Sequence, residues 1–205
     1  MPVPDKTIFG IDDRNVSIDY GFVRQQNEPN ELIKLLKLRL DTFLIKQVEP
    51  ITGAFPKTTM TCITIETLGD IFYGNKKDDQ SYGFVSVAKQ LHQQFSCNVG
   101  KEFKKNLNEL WDGTDDVSNI DTLAKLLYKF FRNTMVHGYY GRGVYLSFED
   151  TTWFIKDKGY ITINPNWYWD KTKDMYDKFF YEALNGDDNN PKRINCLKYI
   201  EKMLK

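Results

Sequence analysis

Arg132 and His137 are the residues of this chain best equipped for chemistry, five positions apart in the sequence. The guanidinium always carries its charge, and an imidazole titrates near neutral pH. They bracket the run Arg132-Asn133-Thr134-Met135-Val136-His137, and Tyr139 follows one residue later. Scarcity adds weight to His137, because the chain has two histidines in all. A fixed cation and an imidazole are the minimum set for cutting RNA without a metal. The arginine balances charge gathering on the nonbridging phosphate oxygens. The imidazole takes the proton of the ribose 2′-hydroxyl or gives one to the leaving 5′-oxygen. The products of such a transesterification are a 2′,3′-cyclic phosphate and a 5′-hydroxyl, and DNA lacks the nucleophile.

These residues close the longest apolar helix the sequence predicts, which begins near 118–121 and runs to about His137, where Gly138 terminates it. Leu123, Leu126, Leu127, Phe130, Thr134 and His137 form one stripe, and Tyr128, Phe131 and Met135 form a second flank. Lys125, Lys129 and Arg132 make the polar edge. A helix apolar on two flanks must bury both, the second against the C-terminal segment or a second copy of the chain. On a straight α-helix Arg132 and His137 diverge by ~140°. The run therefore reads as half of a site, which a homodimer would complete. Asn133 lies four residues before His137, shares its face, and is placed to orient the imidazole. Each residue also has a plainer role. His137 caps an apolar stripe, Arg132 answers the helix dipole, and Tyr139 packs on the strands that follow.

The spacing Arg-x4-His-x-Tyr, with a polar residue directly after the arginine, resembles the signature of HEPN domains and of the HEPN toxins in particular. The resemblance covers roughly residues 30–140. It implies a mainly α fold, an antiparallel helical bundle that is usually dimeric, with paired motifs from two protomers lining one cleft. It also implies a metal-independent endoribonuclease of toxin or defence type. Arg132 and His137 then take the catalytic roles, with Asn133 as the polar residue after the arginine. Tyr139 matches the tyrosine that a partner nucleotidyltransferase antitoxin adenylylates. The implied partners are RNA, a second copy of the chain and an antitoxin protein, with no cofactor and no metal. Other HEPN domains bind a protein partner, a nucleotide or RNA without cutting. The balanced charge and the aromatic C-terminal extension speak for that alternative.

The 205 residues suffice for one domain. It is expected to comprise an N-terminal arm (1–28, either an edge hairpin or an ordered arm), a helical core (29–140), and a small β-hairpin or meander with two further helices (141–205). Helices are expected from Pro29 to a stop at Pro50, over 57–73 with an end at Gly74, over 82–95, over 99–111, and near 166–184 and 191–204. Strands are expected at 143–148, 153–155 and 160–163, with Lys158-Gly159 as a turn. The 28 basic and 28 acidic residues balance, which argues against tracking along duplex DNA. Cys62, Cys97 and Cys196 are scattered, without zinc-ligand spacing. No signal peptide or membrane span is apparent, so a cytoplasmic location is expected. Trp167-Tyr168-Trp169 is expected to pack the β segment, and His92 to be solvated.

Overall fold

A computed structural model of the chain describes residues 3–74, 76–77, 79–99, 120–132, 144–149, 154–157 and 160–205. The protein is mainly helical and divides into two compact units. The first takes in residues up to Ile51, Asp70–Gly74 and Tyr176–Lys205, and the second Thr52–Gly69 and Asn75–Met175.

In the first unit, β1 (Ile8–Ile11) pairs antiparallel with β2 (Ser17–Asp19). Asp12 ties the turn, its carboxylate accepting from the amides of Arg14 (2.9 Å) and Val16 (2.8 Å). Asn15 adopts the left-handed conformation (φ 61°) that its short polar side chain tolerates. Asp19 caps the short α1 (Tyr20–Arg24), its side chain accepting from the Phe22 amide. The described residues of this arm thus hold a hairpin and a helix. Their buried Phe9, Tyr20 and Val23 form a cluster with Leu35.

Pro29 opens α2 (Pro29–Leu40), where its missing N–H costs nothing. The helix buries Ile33, Leu35 and Leu36, then widens into a π-helical stretch, Asp41–Ile45, before a last turn at Lys46–Val48. Thr42 sits in the wide stretch. Its hydroxyl donates to the Leu38 carbonyl at 2.8 Å and accepts from the Ile11 amide at 3.1 Å, fastening the hairpin. The closing helix α7 (Pro191–Leu204) is capped by Asn190, and its Arg193 reaches Asn30 (2.6 Å) and the Ala183 carbonyl (3.1 Å).

The helix α3 (Ala54–Phe72) contributes most of its length to the second unit. Its many threonines suit a strand by propensity, yet here each hydroxyl satisfies the carbonyl one turn back. Thr58, Thr61, Thr64 and Thr67 donate to Ala54, Lys57, Met60 and Ile63 at 2.7–2.8 Å. This lets three of them be fully buried within a helix. Gly74 follows in the left-handed conformation (φ 69°), as the sequence predicts for the stop. Next come α4 (Tyr82–Leu91) and a 3-10 turn (Gln93–Ser96), so the helix expected over 82–95 is shorter and breaks at His92.

Helix α5 (Leu123–Leu126) begins at a Thr122 cap, a little later than expected. An antiparallel bridge between Asn98 and Thr122 precedes it. All of the helix expected at 99–111 except Val99 lies outside the described residues. Among the described residues the β segment has three strands, β3 (Val144–Leu146), β4 (Phe154–Asp157) and β5 (Tyr160–Ile163). β4 and β5 pair antiparallel, as a hairpin should, but β3 pairs parallel with β5. The order β3-β5-β4 corrects the meander expectation, because β3 joins the far side of the hairpin. Asn164 then caps α6 (Pro165–Asn185), accepting from the amides of Asn166 (2.9 Å) and Trp167 (3.1 Å). Tyr168 and Trp169 are buried in its first turns.

Candidate functional site

The motif helix starts where Thr122 accepts from the Lys125 amide. It holds α-helical register only to Leu126 and is π-helical from Leu127 to Arg132. Widened turns of this kind recur at functional sites. The straight α-helical register expected for the whole run therefore stops at Leu126. Arg132 is described; Asn133, His137 and Tyr139 lie outside the described residues.

Arg132 is not the solvated edge residue that its helical position suggests. Its side chain is 16% exposed and is paired with Glu66 of α3, itself 30% exposed. Nε donates to Oε2 at 3.0 Å, and Nη2 donates to both carboxylate oxygens. This is the side-on bidentate geometry that makes arginine–carboxylate pairs directional. The guanidinium also lies 5.5 Å from the centre of the Tyr128 ring, which leans at 5.5 Å against Phe84 of α4. Three elements therefore fix one cation.

The sequence offers one signal for Glu66. It is the only acid between Lys57 and Gly69 in a helix whose Thr58, Thr61, Cys62, Thr64, Ile65 and Leu68 are buried. A carboxylate among such buried neighbours requires a partner. The sequence does not say which partner.

One turn before Glu66, Cys62 is fully buried, with its sulfur 3.9 Å from the Tyr168 hydroxyl. Burial pushes the Cys62 thiol up to about 12, outweighing the downward pulls of the Tyr168 hydrogen bond and of Arg132. Cys196 is pushed up to about 12 by burial as well. Cys97 is exposed. Thiolate attack on a disulfide reagent at pH 8 should therefore give about one fast equivalent, from Cys97, with the other two appearing only on unfolding. Native protein releasing all three thiols at one rate would contradict this burial.

A cleft of about 410 Å³ adjoins the same helix, lined by Asp79, Gln80, Ser81, Ile120, Lys125, Tyr128 and Lys129. The polar edge read from the sequence thus supplies two of its walls. Its charges are mixed. Lys125 pairs with Asp121 at 3.1 Å, and Asp79 accepts from the Ser81 amide (3.0 Å) and hydroxyl (2.6 Å). Tyr128 belongs both to the cleft and to the ring contact with Arg132.

His92 corrects the expectation of a solvated imidazole. It is half-buried, its Nδ1 accepts from the Gln94 amide at 3.3 Å, and its ring lies 6.1 Å from that of Trp167. It acts as the cap of the 3-10 turn. Among the described residues no group of three or more His, Cys, Asp or Glu could hold a metal ion, and no helix is long and apolar enough to cross a membrane. Comparison with family models, with curated proteins and with solved structures finds no match for this chain.

Proposed function

We propose that the chain is a metal-independent endoribonuclease of HEPN toxin or defence type, built on an antiparallel HEPN-like bundle. Arg132 and His137 act at a dimer cleft, and Asn133 orients the imidazole. Arg132 binds the nonbridging oxygens of the scissile phosphate. His137 takes the 2′-hydroxyl proton or protonates the 5′-oxygen that leaves. The observation that carries this reading is the fixation of Arg132 by Glu66 and Tyr128 beside a cleft. A surface arginine serving only the helix dipole has no need of a partner from α3.

Purified protein in EDTA is expected to cut RNA, leaving 2′,3′-cyclic phosphate ends. Arg132→Ala and His137→Ala are each expected to slow cleavage at least ~100-fold with the circular dichroism spectrum unchanged. RNA that stays intact with the unaltered protein in excess sinks the proposal. The Glu66 carboxylate also favours a second reading, because it already neutralises the arginine. In that reading the chain is a non-catalytic HEPN-like module for a protein partner, a nucleotide or RNA. His137→Ala would then leave RNA integrity as it was.

A further inference from the structure

We infer that Arg39 and Phe43 form a binding site for a small aromatic oxyanion, a planar ring that carries a carboxylate or a phosphate. The chemical signal is an arginine without an acid. Among the described arginines, Arg14 pairs with Asp12, Arg24 with Asp5, Arg132 with Glu66 and Arg193 with Asp188. Arg39, near the end of α2, pairs with no carboxylate among the described residues. Its Nη1 donates to the Phe9 carbonyl at 3.0 Å, which fixes one end of the guanidinium. Nε and Nη2 make up the side edge, whose two parallel N–H groups match an oxyanion in a fork. That edge has no protein acceptor among the described residues.

Three rings stand around the cation. The guanidinium carbon lies 5.1 Å from the centre of the Phe9 ring and 5.4 Å from the centres of Tyr20 and Phe43. Phe9 and Tyr20 are buried and meet edge to face at 5.1 Å, so they form a fixed wall. Aromatic rings attract a cation but, unlike a carboxylate, do not neutralise it. Arg39 is itself half-buried, so water screens its charge incompletely and an incoming anion is drawn to it. Phe43 differs from the other two rings. It is 49% exposed and lies in the π-helical stretch Asp41–Ile45, a distortion that recurs at functional sites. A ligand ring can pack on its open surface while the attached oxyanion takes the side edge of Arg39. Tyr199 of α7 is within electrostatic reach of Arg39. Burial and Asp70 raise this hydroxyl and Arg39 opposes the rise, so at neutral pH it stays protonated and adds no negative charge. All of these groups belong to the first unit, and none takes part in the contacts of Arg132. An arginine kept only to cover Phe9 and Tyr20 would bind no such ligand.

The test uses the full chain with phenyl phosphate, benzoate, inorganic phosphate and benzyl alcohol as probes, their binding followed by ligand-observed NMR titration. Phenyl phosphate or benzoate is expected to bind with a Kd of about 1 mM, ordinary for a ligand of this size. Inorganic phosphate, which has no ring, and benzyl alcohol, which has no charge, should each bind several-fold more weakly. Arg39→Gln keeps the stem over the rings and should weaken the aromatic anion about tenfold. Arg39→Lys keeps the charge but loses the two-pronged edge, so its loss should be intermediate. Phe43→Leu removes a half-exposed ring that the fold does not need, and should weaken the aromatic anion about three- to fivefold while leaving inorganic phosphate unchanged. Urea midpoints of Arg39→Lys and Phe43→Leu should stay close to that of the parent. Preference for phenyl phosphate identifies the ligand as a phosphate, and preference for benzoate as a carboxylate; either supports the site. No binding of either by the parent, unaltered binding in both Arg39 variants, or inorganic phosphate binding as tightly as phenyl phosphate would each overturn it.

Discussion

Gly69→Ala is expected to destabilise the second unit by about 3 kcal/mol or more, the upper end of overpacking costs, and Gly83→Ala by distinctly less. The two glycines mark the crossing of α3 and α4, where backbone meets backbone. A Cβ on Gly69 would lie 2.7 Å from both the Cα and the carbonyl oxygen of Gly83, with the Gly83 carbonyl carbon closer still. None of these atoms can rotate away as a side chain can. A Cβ on Gly83 would meet the Gly69 backbone at 2.9–3.2 Å, again forcing a backbone shift, but a smaller one than at Gly69. Alanine gains about 1 kcal/mol in helix propensity at either site, too little to offset the clash at Gly69. Urea midpoints followed by circular dichroism would test the ranking. A Gly69→Ala midpoint at or above that of Gly83→Ala would refute it. Glu66 lies one turn before Gly69, so a displaced α3 also carries the carboxylate away from Arg132. If the chain is the proposed ribonuclease, RNA cleavage by Gly69→Ala should therefore fall further than its loss of folded protein explains.

Helices with strong apolar spacing, and those punctuated by proline or glycine, were legible before any coordinates. Pro29 and Pro191 open helices where expected, and Gly74 closes α3. Gly69 and Gly83 carried no such message, because a glycine inside a helix does not say what approaches it. Partners distant in sequence were equally hidden. β3 pairs with β5 rather than with its neighbour in the chain, a choice made by non-local packing. The π-helical stretches escaped periodicity for the same reason. In α2 the wide turn coincides with Thr42 binding the hairpin, a contact thirty-one residues away in sequence.

The candidate site divides along the same line. Residue type and spacing were enough to single out Arg132 and to predict the polar edge of Lys125 and Lys129 that lines the cleft. They were not enough to find Glu66, because an ion pair joining two helices leaves no periodic trace. A carboxylate set among the buried Thr64, Ile65 and Leu68 was the trace available. Its meaning became readable only when α3 and the π-helical end of α5 were seen to bring the two side chains together.

Above pH 9 the protein is expected to lose stability steeply, and its buried thiols set where the loss begins. Cys62 and Cys196 are raised from 9.0 to about 12 when folded, chiefly by burial. Their folded values exceed their unfolded ones, so the unfolded chain releases these protons first. The stability they represent is complete below pH 9 and is lost as pH rises from 9 through 12. Each such group removes on the order of 1 kcal/mol per pH unit across that window. Burial also raises Tyr168, Tyr176 and Tyr199, which act in the same sense once pH passes 10. Urea midpoints at pH 8, 9, 10 and 11 should fall progressively. The Cys62→Ala/Cys196→Ala variant should start lower at pH 8 because of its cavities, yet decline less between pH 9 and 10, before the tyrosines contribute. A midpoint flat to pH 11, or an equal decline in the double variant, would rule out the thiols as the cause.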